Sequence, residues 1–136
     1  MTAVVVDASI ALALVLPDEK SAAAEKLLRE AAEEDLELLT TGHWQLEIAN
    51  GLHQAYRRKR IAAGDRIDCL AALTRLPIRI VDHEPERELL FSLADRSDLS
   101  IYDAAYLALA IDEGALLATG DAALARAANK NGAEWK

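Results

Sequence analysis

A β-branched run, Val4-Val5-Val6, breaks off at Asp7 and is followed almost at once by the apolar segment Ile10 to Leu16. A strand apolar on consecutive residues has no solvated face, so it belongs inside a parallel sheet covered by helices on both sides. The rest of the chain repeats the alternation. Leu36 to Thr40, Ile78 to Val81 and Ala115 to Thr119 read as further strands, with helical patterns between them. Pro17-Asp18 opens a helix running to about Glu34, and Trp44 opens a long one with Trp44, Ile48, Leu52, Ala55 and Tyr56 on one stripe. Gly64 and Asp65 start another, which Pro77 ends, and Pro85 sits in the first turn of one through Ala94. A polar loop, Asp95 to Ser100, leads to a helix that Gly114 ends, and Asp121 opens the last. The pattern predicts an α/β fold with a central parallel sheet between two helical layers. A strand after Gly132 has room for very few residues.

The length, 136 residues, is that of one domain, expected to span 1–136. Its apolar content is mainly Ala and Leu, which favours helices over a β-sandwich. The single cysteine, Cys69, excludes an internal disulfide framework and a cysteine-rich zinc site, and reads as a partly buried thiol. No apolar run approaches the roughly 18 residues that span a bilayer, and the N-terminus enters the first strand without a basic region. A cytoplasmic protein without membrane contact is expected. The net charge of -8 argues against broad electrostatic binding of nucleic acid, so any such contact must be local or metal-mediated. The concentrated positive charge is Arg57, Arg58, Lys59 and Arg60, at the end of the long helix. It complements the helix macrodipole there, and it could also serve as a contact surface.

Four carboxylates then stand out by position. Asp7 and Asp121 each follow a strand, at the edge of a parallel sheet where ligands bind. Each also suits a helix N-cap. Glu47 borders the apolar stripe of the long helix, where a carboxylate usually has a partner, and Asn50 lies one turn on. A Glu there could also reach solvent past the rim. Asp103 lies three residues after Ser100, the spacing of a capping box, in otherwise apolar surroundings. Clustered carboxylates repel unless a cation compensates them, so together the four suggest a site for a divalent cation.

The segments Val4-Val5-Val6-Asp7-Ala8-Ser9, Glu47-Ile48-Ala49-Asn50, Tyr102-Asp103-Ala104-Ala105-Tyr106-Leu107-Ala108-Leu109-Ala110 and Thr119-Gly120-Asp121 resemble, in order and spacing, the PIN-domain ribonucleases, above all the toxins of VapBC toxin-antitoxin pairs. The resemblance covers essentially the whole chain, and Tyr102 to Ala110 is its most specific part. It implies a three-layer αβα PIN-like domain in which Asp7, Glu47, Asp103 and Asp121 form an acidic metal site, with Ser9, Asn50 and Thr119 as supporting polar residues. It also implies an RNA substrate, an antitoxin partner and a homodimer, with Arg57 to Arg60 available to RNA or antitoxin. The visible departure is an early C-terminus, where the family usually completes an edge strand.

Carboxylate oxygens suit Mg²⁺ or Mn²⁺, and such a site suits phosphodiester hydrolysis by an activated water, leaving a 5′-phosphate. His43, His53 and His83 show no motif spacing, which makes 2′-hydroxyl chemistry by a histidine pair the weaker route. A phosphoaspartyl phosphatase needs a second Asp two residues after the first, where this chain has Ser9. A response-regulator receiver needs an acidic pair close to the end of the first strand and a Lys directly after a late strand, and neither is present. The alternative is a PIN-like RNA-binding or protein-interaction module without turnover, which retention of all four acids argues against.

Overall fold

The structure, a computed structural model, describes residues 2–19 and 21–136. Four strands, β1 (Ala3–Val6), β2 (Glu37–Thr41), β3 (Ile78–Val81) and β4 (Leu116–Ala118), form one sheet in the order β3-β2-β1-β4. All three pairings are parallel, with Val5 opposite both Leu39 and Leu117. The chain passes from β1 outward through β2 to β3, then returns to place β4 on the other side of β1. That reversal leaves a crevice beyond the carboxyl ends of β1 and β4, the usual ligand position in an open α/β sheet.

Seven helices connect and cover the strands: α1 (Ala8–Val15), α2 (Ala22–Glu33), α3 (Trp44–Arg57), α4 (Ala63–Thr74), α5 (Arg87–Ser97), α6 (Ile101–Glu113) and α7 (Ala122–Lys130). The two-residue period of β1 sends its side chains to opposite faces. Val4 and Val6 pack with Leu38 and with Ala24 and Leu27 of α2. Val5 packs with Leu39, Leu117, Leu52 of α3, Leu93 of α5, Leu107 of α6 and Leu124 of α7. Helices therefore cover both faces, as the β-branched run requires. Leu107 is fully buried in the larger core, and truncating it to Ala would cost roughly 2–5 kcal/mol.

Several boundaries differ from those the sequence suggests. Pro17 and Asp18 lie in a turn closed by Glu19 N–H donating to the Leu16 carbonyl at 3.1 Å, and α2 starts later, with Ser21 accepting from Ala24 N–H. Pro85 stands before α5, whose N-cap is Glu86, and α5 continues to Ser97 through the first half of the expected loop. Tyr56 leaves the buried stripe of α3 and is 38% exposed. At the end of α6, Gly114 takes the left-handed conformation, φ 61°, that an L side chain adopts only under strain. After α7 the chain returns to the sheet as a single parallel bridge, Leu117 to Glu134, held by Leu117 N–H on Ala133 at 2.6 Å and Trp135 N–H on Leu117 at 3.1 Å. Among the described residues no helix is long and apolar enough to cross a membrane.

Candidate active site

Asp7 leaves the end of β1 as the N-cap of α1, buried in the crevice. Its Oδ1 accepts from Ile10 N–H at 3.0 Å and from Ser9 Oγ at 2.7 Å, while Oδ2 accepts a short hydrogen bond from Thr119. Ser9 also lies 3.3 Å from the Thr119 hydroxyl and accepts from Gly120 N–H at 2.8 Å. A Cβ on Gly120 would come within 3.3 Å of that serine oxygen, so this close approach of β4 to α1 favours glycine. Trp44 donates through Nε1 to the Asp7 carbonyl at 3.3 Å, fixing the same corner against α3. Burial pushes the Asp7 carboxyl above its usual range against the pull of Thr119, Ile10 and Ser9, and the negative charge of Glu47 pushes the same way.

Asp121 follows β4 and caps α7 by accepting from Ala123 N–H at 3.3 Å, with its own N–H bonded to Thr119 Oγ1 at 3.0 Å. Asp103 sits in the first turn of α6. Only half of the expected capping box forms: Ser100 accepts from Asp103 N–H at 3.1 Å, and the Asp103 carboxyl is not spent on the cap. It meets the other acids instead. Burial, then the charges of Asp121, Asp7 and Glu47, raise its pKa to about 6. Glu47, in the first turn of α3, accepts from Tyr106 of α6 at 2.5 Å.

His43, which shows no motif spacing to the other histidines, also borders the site. Its Nδ1 pairs with the Thr41 hydroxyl at 2.8 Å, and its Nε2 lies buried without a hydrogen-bond partner, 3.5 Å from Glu47 Oε1. The ring packs on Tyr106 at 4.6 Å and Tyr102 at 5.6 Å between centroids. Burial holds its pKa below the usual value although Glu47 pulls upward. Both supports had a sequence signal: His43 precedes Glu47 by four residues, and Tyr106 follows Asp103 by three, spacings that share a helix face.

The crevice therefore brings Asp7, Glu47 and Asp121 into electrostatic reach of Asp103, with Ser9 and Thr119 bonded to Asp7. Asn50 is exposed on α3 and makes no hydrogen bond to these acids; it shares a hollow of about 280 Å³ with Glu47, His43, Leu46 and Tyr102. A larger hollow of about 370 Å³ lies beyond His43, against the loop after β3, and holds none of the four acids. The basic run lies apart from the crevice. Arg57 ends α3, Lys59 turns out of it with φ 61°, and Arg60 is bound to Asp18 at 2.6 Å and Glu19 at 3.0 Å. Arg60 thus ties down the turn after α1 rather than extending a basic helix face.

Among the described residues no three His, Cys, Asp or Glu side chains already converge as a ready-made metal site. The chemistry of the donor set nonetheless fits a hard divalent cation: all four groups are carboxylates, and Asp103, raised first by burial, is raised further by the charges of Asp121, Asp7 and Glu47, a repulsion that a cation would relieve.

A four-stranded parallel sheet with acids gathered at its switch point is the arrangement of a PIN domain. The PIN domain family model matches residues 4–130, and the chain belongs to that family. Ribonuclease VapC3 of Pyrobaculum aerophilum is 33% identical over 123 residues, covering 89% of this chain and 91% of that protein. In fold, the chain is similar to the crystal structure of PAE2754 from Pyrobaculum aerophilum, with a TM-score of 0.69, 23% identity and coverage of 93% and 84% of the two chains. It is also similar to Mycobacterium tuberculosis VapC20, described as a sarcin-ricin loop cleaving toxin, with a TM-score of 0.58, 19% identity and coverage of 91% and 94%.

Proposed function

We propose that this chain works as one PIN domain, an endoribonuclease that hydrolyses RNA phosphodiester bonds with Mg²⁺, for which Mn²⁺ can substitute, as the toxin of a type II toxin-antitoxin pair. The observation that carries the reading is Asp103, a half-buried acid raised to about 6 by burial and three neighbouring carboxylates. Acids placed so close repel one another, and a divalent cation between them compensates that repulsion. Family membership and the 33% identity to a ribonuclease support the RNA substrate.

Asp7, Glu47, Asp103 and Asp121 would hold the metal. When bound there, the cation would supply Lewis acidity toward a water nucleophile and offset charge on the scissile phosphate. Asp7 contributes a carboxylate already oriented by Ser9, Thr119 and Ile10, so little rearrangement is needed there. Glu47 is aimed by Tyr106, whose hydroxyl stays protonated because burial and the carboxylate both raise its pKa. His43 is held toward its neutral form by burial, His83 is engaged with Asp112 at 2.7 Å, and His53 contacts Arg66 at 3.1 Å. No pair of imidazoles flanks the crevice among the described residues, which favours water as nucleophile over the 2′-hydroxyl.

The protein partner in this reading is a cognate antitoxin, the setting is the cytoplasm, and the chain pairs with a second copy. Ile67 is 68% exposed and Leu70 38%, which leaves apolar surface on α4 for a protein contact. The test is digestion of a total RNA pool with and without chelator, reading both fragment ends. Cleavage that needs the metal and leaves 5′-phosphates is expected; 2′,3′-cyclic phosphates would refute water attack.

A further inference from the structure

A net charge of -8 leaves the chain poorly equipped to hold RNA by neutralising phosphates. Arg60 is committed to Asp18 and Glu19, and Arg57 is ten residues from Glu47, about 15 Å along the helix. Two of the most exposed side chains beside the acids are instead an aliphatic one and a ring. Leu46 is 76% exposed and Tyr102 62%, and each immediately precedes an acid of the site, Glu47 and Asp103. The two line the 280 Å³ hollow with His43, Glu47 and Asn50. His43 braces the Tyr102 ring from one side, tilted by 44°, while most of that ring stays open to solvent. The Asn50 side chain makes no hydrogen bond among the described residues, so its amide is available to a ligand.

We propose that this hollow is a nucleobase subsite, in which one unpaired RNA base beside the scissile phosphate stacks on Tyr102 against Leu46 and offers its edge to Asn50. The assignment rests on the ribonuclease reading and requires an unpaired base, because a base inside a duplex keeps its stacking partners. Every base has a π-face, so stacking gives affinity without requiring positive charge, and removing such a ring typically costs between about fivefold and about a hundredfold in binding. An Asn amide can pair with two atoms of a base edge, which supplies selectivity that the ring does not.

The experiment compares the wild-type chain with Tyr102→Phe and Tyr102→Ala on short labelled single-stranded RNAs. Affinity is read by fluorescence anisotropy, and kcat and KM from cleavage. Tyr102→Phe keeps the ring and should match wild type. Tyr102→Ala should raise Kd and KM by between about fivefold and about a hundredfold, with kcat changed by less than about twofold. An abasic nucleotide at the contacted position should erase the difference between wild type and Tyr102→Ala. Equal affinity of the two for intact RNA, or no RNA binding by wild type, overturns the subsite. So does unchanged RNA affinity with loss of self-association in Tyr102→Ala, which would make the patch a protein interface. Tyr102-dependent binding without any cleavage would refute the ribonuclease reading and leave the subsite standing.

Discussion

Tyr106 donates a hydrogen bond to Glu47 across 2.5 Å, joining α6 to the first turn of α3 over a separation of 59 residues. The tyrosine is buried and its ring packs on His43, so the phenol cannot easily move away. Glu47 is thereby fixed from α6 while its side chain stays 34% exposed at the mouth of the site.

Tyr106→Phe keeps the ring and removes the donor. Stability should fall by about 1 kcal/mol, the usual net worth of a hydrogen bond, while cleavage falls by roughly 10- to 100-fold, as when an orienting partner of a metal ligand is lost. Thermal melting and kcat/KM measured on the same preparation check this. A rate equal to wild type would mean that Tyr106 does not orient Glu47.

Acid pH should stabilise the metal-free crevice. Asp103 has a folded pKa of about 6 against an ordinary 3.8, so it binds its proton more tightly in the folded state. Its contribution to stability is complete below 3.8 and is lost as pH rises through about 6. Asp7, also raised, acts in the same direction. Without divalent metal, the melting temperature should therefore climb between about pH 7 and about pH 5, and Asp103→Asn should flatten that climb. An unchanged profile in Asp103→Asn would show that the acids do not repel as described.

The basic run should divide in two. Arg60→Ala breaks the exposed pairs with Asp18 and Glu19 and should leave RNA cleavage at the wild-type level. Replacing Arg57, Arg58 and Lys59 together by Ser should weaken RNA or antitoxin binding without touching the crevice. Affinity measured separately for RNA and antitoxin decides which of the two they serve; unchanged affinity for both would reduce the run to a solvated helix end.

The sequence carried the sheet well because Val4 to Val6 can be buried on both faces only between helices, and Gly114 marked its helix end through a backbone conformation that other residues avoid. It misplaced α2 because Pro17-Asp18 and Ser21 are both competent helix starts, and the choice falls to tertiary contacts such as Arg60 on Asp18. The four acids were visible because each lies at an element boundary or beside an apolar stripe. Their supports were harder to see. Tyr106 reads locally as one more apolar position of α6, and its pairing with Glu47 exists only once two distant helices pack. Asp103 looked like a capping-box acid from spacing, but burial first, and then the acids across the crevice, raise its pKa.

The central claim, that Asp7, Glu47, Asp103 and Asp121 act together to hold a cation, is tested most directly by the melting temperature against Mn²⁺ concentration for the wild-type chain, Asp103→Asn and Glu47→Gln. At 100 times its Kd the metal should add about 2.7 kcal/mol to wild-type stability, and the shift should be largely lost in both variants along with RNA cleavage. An equal Mn²⁺-dependent shift and equal cleavage in all three proteins would contradict it.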